Sequence, residues 1–201
     1  ISMTGLTGYA GIFPRANGAT IRNLVLDHIT ISTTARAGIL VGRVENGDTL
    51  IENIVIKNSS VYGADSNGVG GLIGHVSRKT DVFNVAIVNT TVTNNVVNVG
   101  GLVGRIDNGA TLLSDDIFIS GVTVTSNSTN TSDVAASALV GYIANVTNSM
   151  FDGVRIVVWN STVDGNVAGA FVGYNRYPGQ AALMDAYFGV TFVNNERSGL
   201  I

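Results

Sequence analysis

The chain of 201 residues has no cysteine, two prolines, two histidines and one tryptophan. Without cysteine, disulfide staples and thiolate chemistry are excluded; a zero count fits a bacterial surface protein. Charged residues make up 12% of the chain, against about 25% in a typical soluble domain. Two of them are lysines, Lys57 and Lys79. The formal net charge is −3, with no basic run and no interleaving of basic and aromatic residues, so nucleic-acid binding has no electrostatic footprint. No apolar run reaches the ~18 residues of a membrane helix. No signal peptide is visible, because Ile1 opens directly onto repeat-like sequence. Nor does any stretch hold a 3.6-residue apolar period for the ~10–12 residues a helix needs.

What is present is apolar and repetitive. Apolar residues reach 45%, and glycine, with 25 copies, is joined by abundant Asn, Ser, Thr and Val. That mixture is too apolar for disorder and suits β-structure. One phrase recurs: Gly38-Ile39-Leu40-Val41-Gly42, Gly70-Gly71-Leu72-Ile73-Gly74, Gly100-Gly101-Leu102-Val103-Gly104, Ala138-Leu139-Val140-Gly141 and Ala170-Phe171-Val172-Gly173. The closing glycines are 32, 30, 37 and 32 residues apart. A fixed period in the ~20–50 residue range marks a repeat array.

After each phrase come a turn, then a β-branched run such as Ile51-Glu52-Asn53-Ile54-Val55-Ile56, then a short run such as Thr91-Val92-Thr93. Alternation places Leu24/Leu26, Ile54/Ile56, Val85/Ile87, Ile117/Ile119 and Val154/Ile156 on one face. Three short strands per ~30 residues are too few for a propeller blade of about 40 or more. The expected fold is therefore all-β: a single parallel β-helix, or β-solenoid, with about six rungs. The units run over 10–37, 38–69, 70–99, 100–136, 137–168 and 169–197, and 198–201 begin a further rung. Stacking puts Leu26 over Ile56 over Ile87 over Ile119 over Ile156. The glycines are expected at corners needing positive φ or close backbone approach. Asn23, Asn53, Asn84 and then Asp116 are expected to form a ladder of turn side chains. Residues 1–9 are either the tail of a preceding rung or a frayed end. Ser/Thr/Asn-rich Thr125 to Asp133, and Asn175 to Gln180 with Pro178, read as surface loops.

The phrase resembles the GLUG-type repeats, on the strength of Gly71-Leu72-Ile73-Gly74 with Asn84-Val85, and Gly101-Leu102-Val103-Gly104 with Asp116-Ile117. Such repeats appear in large secreted or surface-attached proteins, including filamentous-haemagglutinin-like adhesins, streptococcal IgA-protease-type proteins and protist surface proteins. Two departures stand out: the units here are longer than in many members, and Ala138 and Ala170 replace the first glycine. The resemblance implies a β-solenoid at the cell surface and transfers no catalytic residue.

Chemistry is sparse. His28 and His75 lie in different repeat contexts, without metal-ligand spacing, and read as exposed turn residues. No nucleophile elbow or phosphate loop occurs. No cofactor is expected. Asp81, Asp115, Asp116, Asp152 and Asp185 fall at comparable places; stacking of Asp116, Asp152 and Asp185 would give a polysaccharide-active β-helix its acid and base, or bind calcium. As turn residues they need neither role. Asn-X-Ser/Thr triplets at Asn58, Asn89, Asn127, Asn130, Asn145 and Asn160 are candidate N-glycosylation sites. A glycan-binding module would align exposed aromatics, with Tyr62, Tyr142, Trp159 and Tyr174 as candidates. The reading that remains first is a non-enzymatic extracellular or cell-surface stalk, adhesin shaft or fibre subunit. Its expected partners are further rungs of the same chain or end-to-end copies, since neither end looks capped, and host or matrix glycans.

Overall fold

The computed structural model describes residues 1–65, 67–107, 109–128, 135–144, 150–176, 181–194 and 197–199. Within them every regular element is a β-strand, and all strand pairs are parallel. One rung shows the plan: a two-residue strand Ala37–Gly38, a short strand Val41–Val44, a long strand Thr49–Lys57 and a four-residue strand Ser60–Gly63. The next rung repeats it as Val69–Gly70, Ile73–Val76, Thr80–Val88 and Thr91–Asn94. The chain is thus a β-solenoid with four strands per rung rather than three. The recurrent phrase straddles a corner: Gly70 ends one strand and Ile73 opens the next.

Each strand pairs with its counterpart one rung away, about 4.8 Å along the axis. Like residues therefore stack. Ile54 lies beside Val85, Val85 beside Ile117, and Ile117 beside Ile156. Ile56, Ile87, Ile119 and Val158 form a parallel column. The expected pairing of Ile119 with Ile156 is off by two residues. The marker Asn of earlier rungs is replaced by Arg155, so nothing in the local sequence fixed the register there. The columns are buried and merge into one continuous core, which a single rung could not enclose by itself. Ser2–Leu6 pairs with Thr30–Thr33, so the first residues are the tail of a rung. Thr125 and Ser126 belong to the strand Thr123–Ser126, and Asn175 ends Val172–Asn175. The remainders of both expected loops fall largely on 129–134 and 177–180, outside the described residues.

Two devices hold the chain in this path. The first is the closing glycine of the phrase. Its φ is not positive in Gly42, Gly74, Gly104, Gly141 or Gly173. Close approach is the reason instead. A Cβ on Gly104 would lie 2.4 Å from the amide nitrogen of Val69 and 2.7 Å from the carbonyl oxygen of Gly74, both in the rung below. In the first complete rung Pro14 takes this place, between Phe13 over Val41 and Arg15 over Arg43. The first glycine is as crowded, since a Cβ on Gly100 would lie 2.0 Å from the carbonyl oxygen of Val103; Ser137 nevertheless takes its position in the next rung, and Ala138 and Ala170 occupy the second, as the pairing of Gly100 with Ser137 and Ser137 with Gly169 shows.

The second device is a left-handed residue inside every long strand. Asn23, Asn53, Asn84, Asp116, Arg155 and Asp185 have φ of 60, 56, 51, 55, 49 and 54°. Each is skipped in the pairing, so the strand bends there while register resumes on both sides. Asn tolerates this region because its short amide bonds locally. The amides also bond between rungs: Asn53 Nδ2 donates to Asn23 Oδ1, and Asn84 Nδ2 to Asn53 Oδ1, both at 2.9 Å. The expected ladder exists, but within strands rather than ahead of them.

Two pairs of substitutions separate these devices. Gly104→Ala should destabilise by about 3 kcal/mol, because backbone of the lower rung cannot yield to the new methyl, whereas Pro14→Gly should leave the closing-glycine corner intact. Asn53→Val should cost roughly 1–2 kcal/mol through the left-handed φ, and Asn53→Gly far less. Urea titration of each variant reads both contrasts.

Candidate functional site

Polar chemistry concentrates on the outer face of the short-strand sheet. Its third positions stack as Arg15, Arg43, His75, Arg105, Tyr142 and Tyr174. The alternating partners Val44, Val76 and Ile106 point into the core, which turns this column outward. Loop residues then fold over it. The Tyr9 ring is approached by the guanidinium carbons of Arg15, Arg36 and Arg43 at 4.7, 5.2 and 5.6 Å. Its hydroxyl accepts from Arg43 Nη1 at 3.0 Å. Glu45 serves both Arg15 and Arg43, at 3.0 and 3.2 Å. Higher up, Arg105 lies over the Tyr142 ring at 5.1 Å, and Tyr142 stacks on Tyr174 at 5.4 Å with 9° between planes.

His75 sits at the centre, and it is not an exposed turn residue. It lies within Ile73–Val76 and its side chain is 1% exposed. The sequence misled because the flanking Gly74 resembles a turn glycine, while the cover comes from loops remote in the chain. Arg36 Nη1 donates to His75 Nδ1 at 2.8 Å. Guanidinium nitrogens only donate, so Nδ1 is the acceptor and the ring proton sits on Nε2. Nε2 faces Asp107 Oδ2 at 2.9 Å and Ser77 Oγ at 3.3 Å.

Serine, histidine and aspartate together invite comparison with a nucleophilic triad. The geometry refuses it. A triad needs the nucleophile on one ring nitrogen and the carboxylate on the other. Here Ser77 and Asp107 share Nε2, and an arginine holds Nδ1. Ser77 Oγ is further tied to Arg43 Nε at 3.3 Å. The group is a clamp that pins the segments carrying Arg36 and Asp65 to the sheet, with Arg36 Nε 3.7 Å from Asp65 Oδ1.

Burial pushes the His75 pKa down, outweighing the hydrogen bond to Asp107. The contact with Asp107 is therefore one between a neutral imidazole and a carboxylate. For Asp107, burial alone would raise the pKa; the hydrogen bond from His75 and the charge and hydrogen bond of Arg105 reverse this and hold it well below the carboxylate range. Folded His75 binds its proton less readily than unfolded His75, whose ordinary value is 6.5. Its contribution is complete above that value and drains away as pH falls below it. Asp107 contributes fully above its ordinary 3.8 and loses its share as pH falls further.

The other expected groups scatter. His28 is an exposed turn residue with φ of 56°. Asp116, Asp152 and Asp185 do not stack. The position above Asp116 belongs to Arg155, whose Nε donates to Asp116 Oδ1 at 2.6 Å and Nη2 to Asp115 Oδ2 at 2.8 Å. Asp152 stands between Leu113 and Ala182. Among the described residues no three His, Asp or Glu side chains gather to hold a metal ion. Asn58, Asn89 and Asn160 have φ of 50, 47 and 45° at the turn ending each long-strand segment. The residue after each, Ser59, Thr90 or Ser161, bonds back to the carbonyl two residues earlier, at 2.7, 3.0 and 3.0 Å. This turn chemistry explains why three triplets recur at one place. Asn127 is exposed and donates to Asn95 Oδ1 at 2.8 Å. Asn130 and Asn145 lie outside the described residues.

The four candidate aromatics do not align along one face. Tyr142 is buried and stacks on half-buried Tyr174 on the short-strand sheet, and Tyr62 lies on Ser60–Gly63. Trp159 is on the long-strand face, where its neighbour is Tyr187, a residue the sequence reading passed over.

No protein-family model matches the chain. It is 34% identical over 151 residues to an immunoglobulin A1 protease of Streptococcus pneumoniae, covering 71% of this chain and 7% of that protein. A second similarity is to halomucin of Haloquadratum walsbyi, 26% over 169 residues, covering 79% of this chain and 2% of halomucin. The chain spans only 6 to 8% of the immunoglobulin A1 proteases it matches. A crystal structure from Bacteroides ovatus, provisionally assigned as an immunoglobulin A1 protease, superposes with a TM-score of 0.70 at 16% identity, over 96% of this chain and 60% of the other. That likeness shows a shared solenoid fold.

Denaturation at pH 8, 5.5 and 3 tests the clamp. Stability should fall stepwise, and His75→Gln should remove most of the step between the first two points.

Proposed function

We propose that the chain is a non-enzymatic structural segment of a longer extracellular or cell-surface protein, a rigid spacer rather than a catalytic unit. The observation that carries this reading is the continuous parallel pairing of six long strands, Thr20–Asp27 to Ala181–Val193, with one irregularity between Val158 and Ser161. Strain on any rung is shared with its neighbours through main-chain bonds and a common core. The similarities agree with it. They fall on a small fraction of very large proteins, where a repeat segment belongs, and they join proteins of dissimilar names. The most enzyme-like cluster, His75 with Asp107 and Ser77, is wired as a clamp.

Further rungs extending the rod, and glycans at the exposed Asn triplets, are compatible additions to this reading. An edge at Phe13–Ala16 and Thr20–Asp27 leaves a cleft of about 370 Å³ lined by Phe13, Ala16, Ile21 and Leu24, with Arg15 and Arg22 at its rim. The apolar floor is what a preceding rung would cover.

Incubation of the purified chain with immunoglobulin A1 and with a polysaccharide panel should give no cleavage, and hydrogen exchange should be slowest around Ile54, Val85 and Ile117, rising toward both ends. Turnover that His75→Ala or Asp116→Asn abolishes would overturn the proposal.

A further inference from the structure

The outer face of the long-strand sheet carries a stripe that the rod itself does not need. One outward column reads Val25, Val55, Ala86, Phe118, Val157 and Tyr187 in register. It contains no charged or hydrogen-bonding side chain until the tyrosine hydroxyl. Its aromatic end is wide and uncovered: Phe118 is 44%, Trp159 53% and Tyr187 52% exposed. Solvated outer faces of single rods normally mix in polar residues, so six consecutive exceptions call for a partner.

The aromatic end is also built. The Trp159 ring lies across Gly189 of the next rung, where a Cβ would come within 3.1 Å of ring atom Cε3. Opposite the pair Trp159 and Asn160 stands Gly189 alone, in an irregularity between Val158 and Ser161. The glycine and the bulge together give the indole a seat. The Tyr187 ring is 5.8 Å away, tilted by 31°. Two fixed aromatic rings thus form a shallow ledge at the edge of a flat sheet.

What flanks the ledge narrows its ligand. On one side runs the left-handed column, whose upper members are Asp116, Arg155 and Asp185. These planar groups offer paired acceptors and donors, the geometry that meets vicinal hydroxyls bidentately. Cations on this face, among the described residues, are matched within it: Arg155 with Asp115 and Asp116, Lys57 with Asp27, and Arg22 with Glu52. Among the described residues of this face, no unmatched cation waits for an acidic polymer. A ligand with apolar C–H faces, hydroxyl edges and no charge complements that arrangement. It must also be linear, because the stripe advances in even steps of about 4.8 Å.

We infer that Trp159 and Tyr187, with Arg155 and Asp116 beside them, form a binding ledge for a neutral polysaccharide chain lying along the solenoid face. Sugar rings stack on the two aromatic rings, and the charged pair bonds their hydroxyls. The site goes beyond the spacer role proposed above and does not depend on it.

Trp159 is the single tryptophan of the chain, so its emission reports on this site alone. The whole chain is titrated with cellohexaose, chitohexaose and mannohexaose, and run in affinity gels containing hydroxyethyl cellulose, glycol chitin or mannan, with heparin as the acidic comparison. At least one neutral glycan should blue-shift the emission saturably and retard migration. Trp159→Ala and Tyr187→Ala should each weaken retardation by about tenfold, the scale of one lost stacking contact. Tyr62→Ala, in the four-residue strand Ser60–Gly63, should not. Both ledge residues are half exposed, so unchanged thermal melting is expected and separates lost binding from lost folding. The inference is overturned if no neutral glycan shifts the emission, if retardation survives both ledge substitutions, or if heparin alone retards. It is also overturned if the emission shifts with protein concentration as the chain dimerises, for then the ledge is a protein interface.

Discussion

Everything in this molecule depends on each residue sitting on its own counterpart one rung away. Parallel in-register pairing makes the rungs interdependent: a side chain that fits in one fits in all, and a backbone approach required once is required throughout. The closing glycine shows the force of it. It recurs as Gly42, Gly74, Gly104, Gly141 and Gly173, and gives way to Pro14 in the rung before them. The core follows from the same rule, since Ile over Val over Ile needs no new packing solution at each level. Polar residues obey it too. An asparagine amide donates to the one below and accepts from the one above, so hydrogen-bonding groups are satisfied in a chain.

Departures from the repeat are therefore informative. His75 replaces an arginine in the outer column and becomes the buried hub of a clamp reaching Arg36 and Asp107. Arg155 replaces an asparagine and converts an amide ladder into an ion-paired cluster with Asp115 and Asp116. Trp159 stands where the rung below has Ser120, and Gly189 gives it room. A rigid frame tolerates such replacements at outward positions, because the main-chain ladder does not rely on them. Function in a repeat protein of this type resides in what breaks the pattern, while the pattern supplies stiffness and spacing.

Similarity to stretches of immunoglobulin A1 proteases and of halomucin accords with this division. A solenoid segment is a module that proteins of unrelated activity can carry, since its faces are free to vary independently of its core. Sharing the fold with the Bacteroides ovatus structure at 16% identity makes the same point: the solenoid persists where few residues are identical.

The sequence by itself determined the repeat, the parallel solenoid, the inward columns over most of the chain and the asparagine ladder. Those features arise from periodicity and local conformational preference, which are written residue by residue. It could not show that the phrase is a corner with four strands per rung, because two-residue strands leave no alternation to read. The register across Arg155 was hidden for the same reason: a left-handed arginine carries no signal of its own. Only the tertiary structure buried His75, set Ser77 and Asp107 on the same ring nitrogen, separated Tyr62, Tyr142 and Tyr174 from Trp159, and brought Tyr187 beside it. Each of those relations joins residues about thirty or more positions apart or depends on what covers a face, and neither is encoded in the order of neighbours along the chain.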